Sequence, residues 1–565
     1  MIISLISLVV TIALAGFIIW RGFANREPRG PRGHGIRRFF QYGTAYLLFV
    51  LTAIGLSGLL GRALGRAVTL SGGQSDLALD ISFTVVGLPL LALMGFWIRR
   101  TIARDAAEVR SVGWAMATTA GTLTALGVTV YAAYNCGLLL FGINDYDGYD
   151  LAQLLVWGSS MLGLWFIDRL NTPERNGRPH LFIGSTLGLV LTATATVNTL
   201  SAAIDILLHA SGQTMYSNDL DPLWRGLILA AIGIPVWVLY WFESARRSER
   251  DRLWYGYVLL LGTAGGMIAS VVAASTAVYR SFVWWFGDPF TTSAAVHFRD
   301  VPTTASTAVV GAALWWYHQR LLLTPEPRNE IDRVYDYSMS AIGLGATGVG
   351  IGYAIVATIE GLTSATVLTG GSVMNTLLLA ATLLIVGTPV WANYWQGISR
   401  AVFANHDTEV TAPTRRAYLF ILFGVGGITA IAGLVSGVYL FADDMLGVGI
   451  SSESFYRMRW ALATLLATGG IAAYHWLVYD RERGVMRATQ HGPQYILLIG
   501  PKDAELEASI EHVTGGRVHT WTPTNGFAGV WTAQAVMREV DHCQDDTLIL
   551  FAEGSRLLAV PVQRD

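Results

Sequence analysis

Two histidines lead the residues able to do chemistry. His318 and His475 each follow a tyrosine, as Tyr317-His318 and Tyr474-His475, near the end of an apolar run. Imidazoles at similar depth on two membrane helices can ligate haem or a chlorin axially. The competing reading is that an amphipathic histidine beside arginine or tyrosine reaches lipid headgroups at the interface. The sequence itself requires no cofactor, and the identity of any cofactor is left unknown.

Other chemistries find little support. Cys136 and Cys543 are too far apart in the chain to suggest a disulfide framework or thiolate metal site. His512, His519 and His542 lack metal-ligand spacing. Gly500-Pro501 follows a strand-like run but lacks the glycine spacing of a phosphate loop, and Pro501 removes a backbone donor. No paired catalytic carboxylates, nucleophile elbow or nucleic-acid signature is present, so neither an enzyme nor a nucleic-acid partner is expected. Asp80, Asp168, Asp205, Glu243 and Glu360 fall near helix ends, whereas ion-coupled transporters keep such groups near the bilayer midplane. Asp205 and Glu360 are expected to pair with Arg66 or Arg280 of another hairpin.

The elements that must position these residues are membrane helices. Of 565 residues, 53% are hydrophobic and 14% charged, a balance that makes the bilayer the expected solvent and partner. Apolar runs long enough to cross it lie near 2–20, 40–60, 80–98, 112–134, 150–168, 181–205, 225–243, 253–276, 303–320, 337–359, 375–395, 418–441 and 459–479. This gives an all-α polytopic fold of about 13 transmembrane helices. Residues 2–20 lack a basic start and a cleavage site and are read as a helix rather than a signal peptide. Alternate connections hold 26 arginines against 7 in the others, which places the N-terminus outside and the C-terminus in the cytoplasm.

The helices repeat as hairpins. Arg38, Arg110, Arg178, Arg252, Arg333 and Arg416 enter the first helix of each, and an aromatic residue stands four positions on in five of the six. Seventeen positions on stand Gly55, Gly127, Ala195, Ala269, Gly350 and Gly433, small residues read as packing notches between helices. Gly-x-Pro recurs only in alternate hairpins, at Pro89, Pro235 and Pro389, so the unit is four helices used three times in parallel orientation. These prolines are expected to kink their helices. Pro235-Val-Trp-Val-Leu-Tyr-Trp241 returns as Pro389-Val-Trp-Ala-Asn-Tyr-Trp395; the second hairpin has Ile167-Asp168 where later ones have Tyr-His.

Helix starts such as Arg415-Arg416-Ala417-Tyr418 and helix ends such as Gly233-Ile-Pro-Val-Trp and Ala473-Tyr474-His475-Trp476 resemble an uncharacterised bacterial multi-pass family, domain of unknown function 5671. The resemblance covers roughly 37–485 and implies four-helix units in a bacterial inner membrane. It implies no activity.

The expected domains are a helix and basic linker over 1–36, four-helix units over 37–177, 178–330 and 331–488, and a small soluble α/β domain over 489–565. The last has ten acids against five bases from residue 491 on, with strands near 495–500, 518–521, 547–551 and 557–561. The expected role is a scaffold, receptor-like or assembly component, with other membrane subunits as partners. A transporter or channel for a small or lipophilic substrate is the first alternative, and a haem- or pigment-binding subunit the second.

Overall fold

The computed structural model describes residues 33–65, 74–105, 108–109, 111–171, 179–209, 220–248, 250–322, 328–363, 372–447, 449–488, 493–523, 531–543, 545, 547–553 and 556–562. Twelve long helices fall into three consecutive sets of four. The first set is α1 (Gly33–Leu64), α2 (Gln74–Arg104), α3 (Val112–Leu140) and α4 (Gly148–Asn171). The second is α5 (Pro179–His209), α6 (Asp221–Arg247), α7 (Arg252–Phe286) and α8 (Val301–Leu322). The third is α9 (Glu330–Thr363), α10 (Val373–Ala404), α11 (Pro413–Leu446) and α12 (Ser452–Ala488). The chain divides into two compact units, one built on α1–α8 and one on α9–α12 with the C-terminal domain.

Eleven of these twelve described helices, all but α8, are long and apolar enough to cross a membrane. The run expected at 303–320 is helical, but Thr303, Thr304, Ser306, Thr307, His318 and Gln319 dilute its apolar character. The run at 2–20 lies outside the described residues.

In each set the first two helices meet at glycine, and the contact recurs at one register. A Cβ on Gly87 would lie 2.6 Å from Thr52 Oγ1, one on Gly233 2.9 Å from Leu191 Cβ and the Thr192 amide, and one on Gly387 2.8 Å from the Thr347 amide. Thr52, Thr192 and Thr347 each stand fourteen residues after their arginine anchor. Gly55 meets Thr84 in the same α1–α2 pair, and Gly350 meets Leu383 and Leu384 in α9–α10. Gly433 lies against Ala461 and Leu465 of α12, and Ala269 faces Gly311 of α8, where a Cβ on the glycine would lie 3.3 Å from Ala269 Cβ. Gly127 and Ala195 are buried.

Pro89 and Pro389 sit inside unbroken α2 and α10. The helix bearing Pro235 instead passes into a π-helical turn at Val238–Phe242. The facing helix, α7, is π-helical over Tyr257–Gly265. Each such turn inserts residues into the helical repeat and rotates the side chains that follow.

The C-terminal domain is β1 (Tyr495–Ile499), α13 (Ala504–Thr514), β2 (Arg517–Trp521), α14 (Ala533–His542), β3 (Thr547–Glu553) and β4 (Arg556–Val562). The sheet order is β2-β1-β3-β4, with β1 parallel to both neighbours and β4 antiparallel to β3. Asp503 caps α13 by accepting from the amides of Glu505 and Leu506, and Gly515 ends it at a φ of 65°. Ile496, Leu498, Val518, Leu548 and Leu550 turn to one face, where Leu506, Ile510, Val536 and Val540 of the two helices cover them.

The glycine contacts can be tested by adding bulk. Gly387→Val should destabilise the chain by about 1–3 kcal/mol, seen as a lower melting temperature in detergent. Gly345→Ala, where a Cβ meets nothing within 4 Å, should leave it unchanged.

Candidate functional site

His318 lies near the end of α8, wholly buried. Its Nδ1 is 2.8 Å from the Leu314 carbonyl one turn earlier. A carbonyl can only accept, so Nδ1 carries the hydrogen and Nε2 of the neutral ring is a bare acceptor. That Nε2 is buried without a hydrogen-bond partner. Around the imidazole stand Trp237 and Trp241 of α6, Tyr257 of α7 and the adjacent Tyr317. Gly262 lies so close that a Cβ there would overlap the ring. The indoles are tied down: Trp237 Nε1 donates to Tyr257 Oη and Trp241 Nε1 to Tyr317 Oη, each at 2.9 Å. Both π-helical turns border this cluster.

The third unit repeats the arrangement. His475, also wholly buried, donates from Nδ1 to the Ile471 carbonyl at 2.8 Å and keeps Nε2 without a partner. Trp395, Tyr418 and Tyr474 pack around it, and Trp395 Nε1 donates to Tyr474 Oη at 2.9 Å. The expectation that these histidines reach headgroups is overturned, because rings from neighbouring helices close over both. Each lies within its own compact unit.

The first unit lacks the Tyr-His pair and the tryptophan bonded to it, although Trp114 packs on Tyr42 as Tyr418 does on Tyr337. Counting from its proline, Gly95 stands where the later units have Trp241 and Trp395, and Ile167-Asp168 replaces Tyr-His. Asp168 Oδ2 instead comes within 3.6 Å of His180 Nε2 on α5.

Charge is concentrated at the helix ends. Glu108, between α2 and α3, is almost fully buried and accepts from Arg37 and from Arg38 Nε at 3.0 Å, with Tyr42 Oη at 3.3 Å. Glu409, in the matching connection of the third unit, accepts from Arg328 at 3.1 Å and from Arg333 at 3.0 Å. Two carboxylates from second-to-third helix connections thus grip the arginines that begin the first helices. Arg415 is buried as well: it holds Glu482 through two bonds of 2.8 and 2.6 Å and donates to Tyr337 Oη at 2.7 Å.

Several sequence pairings resolve differently. Glu360 pairs across hairpins, but with Arg459 of its own unit at 3.0 Å, and Arg280 pairs with Asp300 of its own hairpin at 2.7 Å. Arg66 lies outside the described residues. In the last hairpin the buried arginine and aromatic are Arg415 and Tyr418, while Phe420, four positions after Arg416, is 64% exposed. Arg415-Arg416 offered two registers, and only the helix packing selects one. Glu108 and Glu409 were missed because their distances from the arginine anchors differ.

The family model described as Domain of unknown function (DUF5671) matches residues 38–143, 178–313 and 333–474. The chain belongs to this family. The three matches cover more than half of it and fall on the three sets of helices. No curated protein and no solved structure matches.

Burial opposes the charge on Glu108, but the hydrogen bonds from Arg38 and Arg37 outweigh it and hold its carboxyl below the usual glutamate value. A depressed carboxyl stabilises the fold above its unfolded-state pKa, and that contribution is lost as pH falls through the folded value. Glu108→Gln should therefore cost about 1.5–3 kcal/mol at neutral pH. The gap in melting temperature from the parent should close as the pH drops below the ordinary glutamate range.

Proposed function

We propose that the chain is a non-enzymatic component of a bacterial inner-membrane complex, acting as a scaffold, receptor-like or assembly subunit. On this reading it has thirteen spans, an external N-terminus and a cytoplasmic C-terminal domain, as the arginine asymmetry implies.

One observation carries the assembly reading. Between α1 and α2 runs an apolar groove of about 620 Å3, lined by Thr44, Leu48, Leu90, Leu93, Met94, Phe96, Trp97 and Arg100. At the matching places in the second unit, six residues past the arginine anchor and five past the proline, Gly184 receives the ring of Tyr240. Trp165 of α4 packs edge-on against that ring, 5.3 Å between centroids, and Tyr240 is fully buried. The face that accepts a neighbouring helix in the second unit is thus open in the first. A helix from another membrane polypeptide is the occupant it suits.

A photo-crosslinking residue at Leu93, activated in native membranes, should capture a second membrane polypeptide. Adducts with lipid alone, or with the chain's own apolar run 2–20, would sink the assembly reading.

A second reading, a haem- or pigment-binding subunit, is supported by the Nε2 atoms of His318 and His475, each an acceptor without a hydrogen-bond partner on a ring whose Nδ1 is held by a backbone carbonyl. Protein purified gently from its native membrane should then show a Soret or chlorin band that His318→Ala and His475→Ala diminish; a colourless protein removes this reading.

A further inference from the structure

Among the described residues, the C-terminal sheet has helices on one face only. Strand register turns Tyr495 and Ile499 of β1, Phe551 of β3, Leu558 and Val560 of β4 and Trp521 of β2 to the other face. Trp521 is 64% exposed and Leu558 56%. A contiguous apolar face of this kind marks a contact surface.

Two further observations say what it contacts. Arg517 and His519 border the face on β2, both exposed, whereas Asp503, Glu505, Glu511, Glu539 and Asp541 belong to the helical layer that covers the opposite face. The domain is also closely tethered. From Ala488 at the end of α12 to Tyr495 the chain spans at most roughly 25 Å. Tryptophan and tyrosine beside arginine is a composition that settles at an anionic lipid interface.

We infer that the open face of this sheet rests on anionic phospholipid beside the end of α12, with Trp521 and Tyr495 at headgroup depth and Arg517 toward the phosphates. The inference rests on α12 being a membrane helix, which the experiment reads separately.

Full-length protein carrying Cys136→Ser and Cys543→Ser is placed in phosphatidylglycerol–phosphatidylcholine vesicles, with one nitroxide at Val560→Cys, Ser509→Cys or Leu466→Cys. Collisions with oxygen, which partitions into lipid, are compared with those of a water-soluble nickel chelate. The Val560 label should favour oxygen, the Ser509 label on α13 should favour nickel, and Trp521→Ser with Leu558→Ser should turn the Val560 label toward nickel. A Val560 label that behaves like Ser509 overturns the inference. So does shielding from both reagents, which means a protein contact, or spin–spin broadening relieved by unlabelled protein, which means a second copy. The Leu466 label in the middle of α12 should favour oxygen in every case; if it does not, the membrane reading itself has failed.

Discussion

Lipid provides no hydrophobic drive to bring two apolar helices together, so they associate where their backbones can approach closely. In this protein that approach is made at the glycine of each Gly-x-Pro, where Gly87, Gly233 and Gly387 of the second helix lie against the first helix beside Thr52, Thr192 and Thr347. Proline removes a helical hydrogen bond two residues on. The close contact therefore puts a neighbouring helix next to the one place in the second helix where the backbone ladder is incomplete.

With the helix pair fixed at that distance, bulk is admitted only opposite a small residue. Gly188 receives Trp237, and Gly343 receives Trp391. At the same positions the first unit has Leu48 and Leu91. Downstream in the two later units, Trp241 and Trp395 find hydroxyl partners on Tyr317 and Tyr474, leaving the adjacent imidazoles enclosed. An enclosed acceptor without a donor costs about 1–3 kcal/mol, and each of these two imidazoles carries that cost. The first unit, with Leu91, Gly95 and Ile167-Asp168 where the later ones have tryptophans and Tyr-His, keeps the contact at the glycine without the enclosed imidazole. The helix pair is thus the common framework, and the cluster is what individual units add to it.

The same division holds for charge. The apolar middles of the spans are joined by backbone contacts, and the ion pairs gather at the ends, where Glu108 and Glu409 each hold two arginines and Glu482 holds one. These carboxylates come from connections or from the last turns of a helix. They fix where a helix begins, while the glycines fix how near it lies to its neighbour.

The sequence by itself determined the membrane character, the four-helix period and the family, because hydropathy, arginine asymmetry and the spacing of Gly-x-Pro are properties of local composition. It also marked His318 and His475, and the strands of the small C-terminal domain. It did not reveal that the histidines are sealed inside rings from other helices, that Glu108 and Glu409 do equivalent work from unequal spacings, or that Arg415 rather than Arg416 is the buried member of its pair. Nor did it show that one face of the C-terminal sheet is left open. Each of these depends on which helix or strand lies alongside and at what rotation. A π turn at Val238–Phe242, or one residue of register at Arg415, changes that rotation without changing the apolar pattern from which a span is read. Only the tertiary structure decides it, because the partners meet across the fold rather than along the chain.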